Sequence, residues 1–322
     1  MSELAKRLDL NRAMSVLGPF IGLILVMGLF AVLAPDRFVS AYNLKTIVTQ
    51  TVIVALGAIG MTWVIIGGGI DLSVGSVIAL SSVAAALFVR DGHSPAIAIV
   101  VGVAVGAAVG ALNGALITGL RVVPFIVTLG TMLMARGVAK WLGDEQKVDV
   151  PETWLDTVMS KNPDPSWLVL SPGVWTTLIL AVVMAFALRR TVIGTHTIAV
   201  GSNEDTARLC GVRVSRVKII LYGIAGSFAG LAGVMQLGRL TVGDPTTAIG
   251  LELDIIAAVV IGGGSLSGGR GSILGSMIGA FLMAVLANGC TLTGVPNYVR
   301  EILTGAIIIA AVAVDGLRQR PK

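Results

Sequence analysis

Residues 64–76 read Val64-Ile65-Ile66-Gly67-Gly68-Gly69-Ile70-Asp71-Leu72-Ser73-Val74-Gly75-Ser76 and separate two apolar runs, 51–66 and 77–89. The stretch places one carboxylate and a cluster of glycines between segments that are apolar enough for lipid. Because lipid offers no hydrogen-bond partners, non-helical backbone is stable there only where protein or a water-filled cavity surrounds it. A charged side chain at that depth costs several kcal/mol and usually faces the interior of a helix bundle. The stretch therefore predicts a break between membrane helices at a protected place.

A second glycine-rich stretch repeats the pattern in the other half of the chain. It reads Val259-Val260-Ile261-Gly262-Gly263-Gly264-Ser265-Leu266-Ser267-Gly268-Gly269-Arg270-Gly271-Ser272. Paired hydrophobic segments that glycines interrupt are typical of transporters, where they mark the path of the solute. We therefore predict a protein that moves a solute across a membrane. The glycines of its two broken segments are Gly67, Gly68, Gly69, Gly75, Gly262, Gly263, Gly264, Gly268 and Gly269.

The composition indicates an integral membrane protein. Hydrophobic residues make up 55% of the 322 residues and charged residues only 13%, which excludes an ordinary soluble domain. We predict an all-α, polytopic membrane protein of about ten transmembrane helices, which form one permease domain over residues 1–322. Most of its apolar runs match the ~20 residues needed to cross a bilayer. They lie at 16–34, 47–66, 77–89, 96–119, 122–141, 173–188, 219–237, 255–264, 273–287 and 298–314.

The charges of the tails and loops predict one orientation in the membrane. Basic residues dominate the tails 1–15 and 315–322 and the loop 189–218, whereas acidic residues dominate the loop 143–172. Lys and Arg accumulate on the cytoplasmic side of membrane proteins. An even number of crossings therefore places both termini and the 189–218 loop in the cytoplasm, and the 143–172 loop outside.

The loop 189–218 contains the signals of a short helix. Ser202 or Asn203 can cap its N-terminus, acidic residues follow, and Gly211 can end it. The simpler interpretation is a solvated loop whose arginines only fix the orientation. The functional interpretation is a coupling helix that docks into a cytoplasmic partner. Its candidate coupling residues are Ser202, Asn203, Glu204, Asp205, Ala207 and Gly211.

Four blocks in a fixed order carry a family resemblance. They are Gly68-Gly69-Ile70-Asp71-Leu72-Ser73-Val74-Gly75-Ser76, Pro124-Phe125-Ile126-Val127-Thr128-Leu129-Gly130-Thr131, the loop 201–211 and the block 253–271. Nearly end to end, the chain resembles the membrane permease subunits of bacterial ATP-binding-cassette importers for monosaccharides of the ribose, xylose and galactose type. The resemblance implies a permease in the bacterial inner membrane that binds no nucleotide and takes no cofactor.

The resemblance also implies three protein partners within the lipid bilayer and beside it. They are a cytoplasmic ATPase subunit, a periplasmic sugar-binding protein and a second permease copy, in a homodimer or a heterodimer. The chain has no phosphate-binding loop, because 263–270 ends without the required lysine and hydroxyl. Catalytic sets and metal-binding spacings are missing too. We therefore predict a transport subunit, with ATP hydrolysis on a separate chain and no role in binding nucleic acid.

Three polar residues are candidates for lining the translocation path: Gln50, Asp71 and Asn288. Asp71 can instead accept hydrogen bonds from the backbone N–H groups that begin the next run. We favour that structural role, because a neutral sugar needs no counter-ion. Asn288, like Asn113, can instead hydrogen-bond across closely packed helices.

Two alternatives to a monosaccharide importer remain at this point. A related permease could carry branched-chain amino acids or another small polar solute. A zwitterion would require charges near the midplane, however, and Asp71 is the one candidate. An ion-coupled secondary transporter would leave the 202–211 helix unexplained, and the chain lacks the series of intramembrane acids expected of a proton relay.

Overall fold

The computed structural model describes the backbone of residues 3–319 and the side chains of residues 18–313. The side chains of the two predicted cytoplasmic tails, 1–15 and 315–322, lie outside the described residues. The backbone at 3–15 and 315–319 continues the first and last helices.

The described chain is mostly helical, as predicted. Two short strands, β1 (Val148–Asp149) and β2 (Val242–Gly243), pair antiparallel, and residues Ser166–Leu168 form a single 3-10 turn. The helices are α1 (Glu3–Leu33), α2 (Pro35–Phe38), α3 (Ala41–Ile66), α4 (Val74–Arg90), α5 (Pro95–Leu120), α6 (Pro124–Leu142), α7 (Trp154–Val158), α8 (Pro172–Arg190), α9 (Val192–Ser202), α10 (Glu204–Leu209), α11 (Val214–Leu240), α12 (Leu251–Ile261), α13 (Ile273–Leu292) and α14 (Asn297–Gln319).

Six helices in the described part of the chain are long and apolar enough to cross a membrane: α3, α5, α6, α8, α11 and α13. The segment Gly18–Leu33 of α1 and the whole of α4 are shorter apolar helices. Each of the ten predicted apolar runs lies on a separate helix. The predicted count of about ten transmembrane helices is nevertheless not confirmed. Helix α12, for example, has only 11 residues and spans roughly 16 Å, about half of the hydrocarbon thickness.

Helix α3 forms the centre of the bundle and is almost entirely buried. Helix α11 packs on α3, α4 and α5, and α13 packs on α3 and α12. Glycines permit the closest of these approaches. A Cβ atom on Gly106 of α5 would overlap the backbone of Gly226 and Gly230 on α11. Gly226 and Gly230 of α11 therefore form part of a packing seam between α5 and α11 inside the molecule.

The bundle has two ends, named here after the short helices found there. Helix α11 starts beside α10 and ends beside α7, where Gly238 packs against Leu155. Helix α3 runs the opposite way, and its last residue, Ile66, lies next to Gly201 of α9. The α10 end thus carries α9 and α10, and the α7 end carries α7, β1 and β2.

Candidate translocation site and coupling region

A polar cavity of about 300 Å³ lies between α3, α11, α12, α13 and α14, in the half of the bundle nearer α7. Apolar residues such as Ile53 and Met283 form part of its wall. Its polar lining residues are Gln50, Gln236, Arg239, Asp254, Asn288, Thr291 and Arg300. This set offers both hydrogen-bond donors and acceptors, as a polyhydroxylated solute requires.

The structure brings two of the three predicted path residues together, since Gln50 and Asn288 both line this cavity. The Asn288 side chain also bonds across the helices, because the amides of Asn43 and Asn288 donate to each other over 3.0 Å. Among the described residues, the Gln50 amide has no hydrogen-bond partner. Gln50 is therefore the lining amide that is free to bind a solute.

Three charged residues of the cavity were not among the predicted candidates. Arg239 lies in the last turn of α11, Asp254 in the first turn of α12, and Arg300 near the start of α14. Charges so close to helix ends are typical of membrane interfaces. These three charges line one cavity because the ends of three separate helices come together around it.

The connection after β2 enters the bundle beside the cavity. The Gln236 amide donates to the Thr247 hydroxyl over 2.7 Å. One guanidinium nitrogen of Arg136 donates to the carbonyl oxygens of Pro245 and Thr247, at 2.8 and 2.7 Å. Because this connection lies against the start of α4, Gly75 is needed there: a Cβ atom would overlap the Ala248 carbonyl oxygen. The connection between β2 and α12 is thus held by hydrogen bonds from α6 and α11 on one side and by its contact with α4 on the other.

The α7 end holds the same connection by an ion pair. The Asp244 carboxylate lies 3.4 Å from the Lys147 ammonium and accepts a 2.8 Å hydrogen bond from the backbone of Thr246. Partial burial disfavours the charged carboxylate, but the bonds from Thr246 and Lys147 outweigh it and hold the pKa of Asp244 below its ordinary value. Asp244 therefore stays ionised at neutral pH.

Asp71 lies in the connection between α3 and α4, is only 3% exposed, and does not line the polar cavity. Its Oδ1 atom accepts hydrogen bonds from the backbone N–H of Ser73 at 2.8 Å and from the Ser73 hydroxyl at 2.6 Å. The Asn113 amide donates to the same hydroxyl over 3.0 Å. The carboxylate thus fixes the turn from which α4 begins.

The two glycine segments meet at the α10 end, away from the polar cavity. The backbone N–H of Gly269 donates to the carbonyl oxygen of Ile66 over 2.8 Å. Gly201, near the end of α9, packs against this junction, and a Cβ atom there would overlap the Ile66 oxygen and crowd the Gly269 nitrogen. Gly68 and Gly268 have φ angles of 78° and 85°, which favour glycine. The α9 helix therefore touches both connections at one point.

The other glycines of these segments end α3 and α12. Gly67 and Gly262 are the C-cap residues of the two helices. Gly69 packs against the Tyr222 hydroxyl, and Gly264 folds back on Val259. Gly263 has a φ of 89°. Most residues of the two predicted broken segments therefore lie in the connections α3–α4 and α12–α13 and not inside a helix.

The predicted short helix is present as α10, and it begins at Glu204. The Asn203 side chain accepts a 2.8 Å hydrogen bond from the Thr206 backbone and caps its N-terminus, whereas Ser202 is the last residue of α9. Gly211 follows the helix with a φ of 86°. Helix α9 itself was not predicted.

The side chains of α10 divide into an inner and an outer set. Ala207 is buried against the bundle, and the Glu204 carboxylate pairs with Lys218 at 2.6 Å and with Arg208 at 2.9 Å. Asp205 is exposed, and Leu209 is 89% exposed. Leu209 was not among the predicted coupling residues, although an apolar residue beside a predicted C-terminal stop was a usable signal.

The fold and these two regions define a polytopic helical membrane protein with a polar cavity near one end and a capped helix at the other. A family model described as branched-chain amino acid transport system / permease component matches residues 43–312. The chain belongs to this family of transport permeases, and the resemblance inferred from the sequence is confirmed.

Several curated proteins are similar to the chain over most of their length. The ribose import permease protein RbsC of Bacillus subtilis (strain 168) is 41% identical over 312 residues, which are 96% of this chain and 95% of that protein. The protein of the same name from Escherichia coli (strain K12) is 38% identical and covers 93% of both chains. The L-arabinose ABC transporter permease protein AraH of Azospirillum brasilense is 35% identical, over 94% of this chain and 88% of its own. No solved structure matches the chain.

Proposed function

We propose that this protein is the membrane permease subunit of an ATP-binding-cassette importer that translocates a monosaccharide, ribose or a similar pentose. The observation that carries the proposal is the similarity to ribose and arabinose permeases over nearly the whole chain. A permease for branched-chain amino acids is the alternative, and the names of these relatives do not favour it. The protein has the role of a transport component.

The polar cavity is the proposed site through which the sugar passes. Its lining combines amides with charged groups, and the Gln50 amide there has no partner among the described residues. Sugars are held by such mixed donors and acceptors, and a membrane site fed by a separate binding protein needs only weak affinity. Gln50 and Asn288 are the proposed path residues, while Asp71 is proposed to hold the α3–α4 turn through the hydrogen bonds that it accepts from Ser73.

The ATPase, the periplasmic sugar-binding protein and a second permease copy are the proposed partners. ATP hydrolysis would occur on the ATPase chain, which would dock on α10. The exposed Leu209 fits the role of an apolar anchor in such an interface. Movement of α10 would reach the bundle through α9, because Gly201 touches the connections α3–α4 and α12–α13 together.

The proposed topology has ten crossings in the bacterial inner membrane, with both termini and the α10 end in the cytoplasm. The 189–218 region at that end is rich in arginine, which supports this orientation. Helices α4 and α12 are too short to cross alone. They would cross together with the non-helical segments 67–73 and 245–250, as discontinuous helices do in transporters.

Reconstituted uptake tests this function and its site. Vesicles that contain the permease, its ATPase and its binding protein should accumulate labelled ribose upon addition of ATP. The Gln50→Leu variant should insert normally but transport roughly fivefold more slowly, because one hydrogen bond to the sugar is worth about 1 kcal/mol. Gln146→Leu, at an exposed position of the 143–172 loop, is the matched control. ATP-driven uptake of leucine but not of ribose would refute the proposal.

A further inference from the structure

A second cavity, of about 480 Å³, lies at the α10 end between α3, α8, α9 and the start of α13. Most of its wall is apolar and comes from Ile66, Leu188, Ile198, Ile273 and Leu274. The polar side chains that line it are Arg189, Arg270 and Ser272, and the set contains no carboxylate. The cavity thus combines an apolar wall with two positive charges.

Neither arginine forms an ion pair with the described part of the chain. Arg189 lies in the last turn of α8, and Arg270 lies in the glycine-rich connection before α13. Both residues are exposed, and no carboxylate among the described side chains lies within 4.0 Å of them. Guanidinium groups bind phosphate oxygens through paired, charge-assisted hydrogen bonds. The cavity is therefore complementary to an anion.

The surroundings of the cavity identify the kind of anion. The outer face of α8 exposes large apolar side chains, among them Val182 (70%) and Phe186 (65%), and Leu274 at the cavity itself is 61% exposed. In a membrane protein such surfaces face lipid chains. Free phosphate would use the arginines but leave the apolar wall unexplained, whereas a phospholipid uses both. Basic pockets between membrane helices on the cytoplasmic side are known to bind anionic lipid headgroups.

We propose that this cavity is a binding site for an anionic phospholipid. Its phosphate binds Arg189 and Arg270, and one acyl chain lies along Leu188 and Leu274. The proposal goes beyond the transport function and does not depend on which solute is carried. The bound lipid would also touch Gly269, whose backbone bonds to Ile66 at the junction of the two glycine segments.

Native mass spectrometry of the full-length permease with added lipids tests the site. Phosphatidylglycerol should be retained in preference to phosphatidylcholine, and the Arg189→Gln/Arg270→Gln double variant should lose that preference. Loss of one charged hydrogen bond lowers affinity by about tenfold or more, so the double variant should fall by well over tenfold. Arg90→Gln removes an exposed arginine at the α7 end and should retain the preference.

A second variant separates a lipid from free phosphate. Ala185→Phe would fill the apolar part of the cavity and leave both arginines in place. It should weaken phosphatidylglycerol binding as well, and inorganic phosphate should not displace the lipid from the unaltered protein. Equal retention of the two lipids, normal binding by the double variant, or displacement by phosphate alone would overturn the proposal. So would arginine variants that retain the lipid and lose only association with the ATPase.

Discussion

Asp71 satisfies its hydrogen bonds within its own turn. Both bonds that it accepts come from Ser73, two residues further along the chain, and Asn113 of α5 holds the Ser73 hydroxyl from the other side. A buried acceptor that is removed leaves its donors unpaired, at a cost of about 1–3 kcal/mol. We therefore expect the side chain to act through the start of α4 and not through contact with a solute.

Two substitutions separate this structural role from a role in the path. Asp71→Asn keeps an oxygen acceptor and should change the free energy of unfolding by only about 1 kcal/mol or less, with substantial ATP-dependent uptake. Asp71→Leu removes the acceptor and should lower both folded yield and transport. The measurements are thermal unfolding and uptake normalised to folded permease. An asparagine variant that folds normally but does not transport would assign Asp71 to the path.

The candidate site could be predicted from the sequence only in part. Gln50 and Asn288 are polar residues in the interior of apolar runs, which is a local signal, and both line the cavity. Arg239 and Asp254 carry no such signal, because each lies within one turn of a helix end. The closeness of the two depends on tertiary packing between separate helices, which one sequence does not encode as a pattern.

At the scale of elements, caps were easier to predict than depth in the membrane. The Asn203 cap and the glycine after α10 are local signals, and the helix is present. The hydrophobic runs predicted that α4 and α12 exist, but they did not predict at what depth in the membrane these helices begin. The approach of Gly75 to Ala248 puts the starts of these two helices close together. Residues 192–202, which form α9, were predicted as part of a loop because they contain no long apolar run.

The outer face of α10 carries an exposed apolar residue, Leu209, whose substitution tests the proposed ATPase interface. Ala207 is buried, so a large residue there would disturb packing, whereas Leu209 is 89% exposed and can be changed without loss of internal contacts. Leu209→Glu should leave the permease folded and reduce sugar uptake strongly, since a charge at an apolar anchor costs about 2 kcal/mol or more of binding. Leu209→Met should retain uptake.

The ATPase readout makes this prediction specific to coupling. In the glutamate variant, ATP hydrolysis should no longer respond to the sugar-loaded binding protein, although the ATPase alone remains active. A variant with full uptake and normal stimulation would show that Leu209 lies outside the interface.

At the scale of the whole molecule, the polar cavity and the junction of the glycine segments lie in opposite halves of one bundle. Helices α3 and α13 connect them, since Gln50 and Asn288 line the cavity while Ile66 and Ser272 lie beside the second cavity. We therefore expect a movement at α9 to reach the cavity through these two helices. In the proposed topology, the α7 end faces the outside, where solute arrives.

Cysteine labelling tests that orientation on intact cells. Cys210 is exposed at the α10 end, whereas Cys290 is buried in α13, so Cys210 is the accessible native thiol in the described part of the chain. An impermeant maleimide should label Cys210 only after the membrane is opened. Glu152→Cys, made in a Cys210→Ser background, places a thiol at an exposed position near α7 and should react in intact cells.

A docked ATPase could shield Cys210, and a second reporter at the same end removes that ambiguity. Arg213→Cys, in the Cys210→Ser background, lies at an exposed position between α10 and α11 and should also react only after opening. The background protein, which retains the buried Cys290, should stay unlabelled in both conditions. We expect this labelling pattern because Lys and Arg accumulate in cytoplasmic loops. The inverted topology would place the arginine-rich 189–218 region on the outer side of the membrane. Labelling of Cys210 and Arg213→Cys in intact cells, with Glu152→Cys protected, would invert the topology and move the proposed ATPase interface to the α7 end.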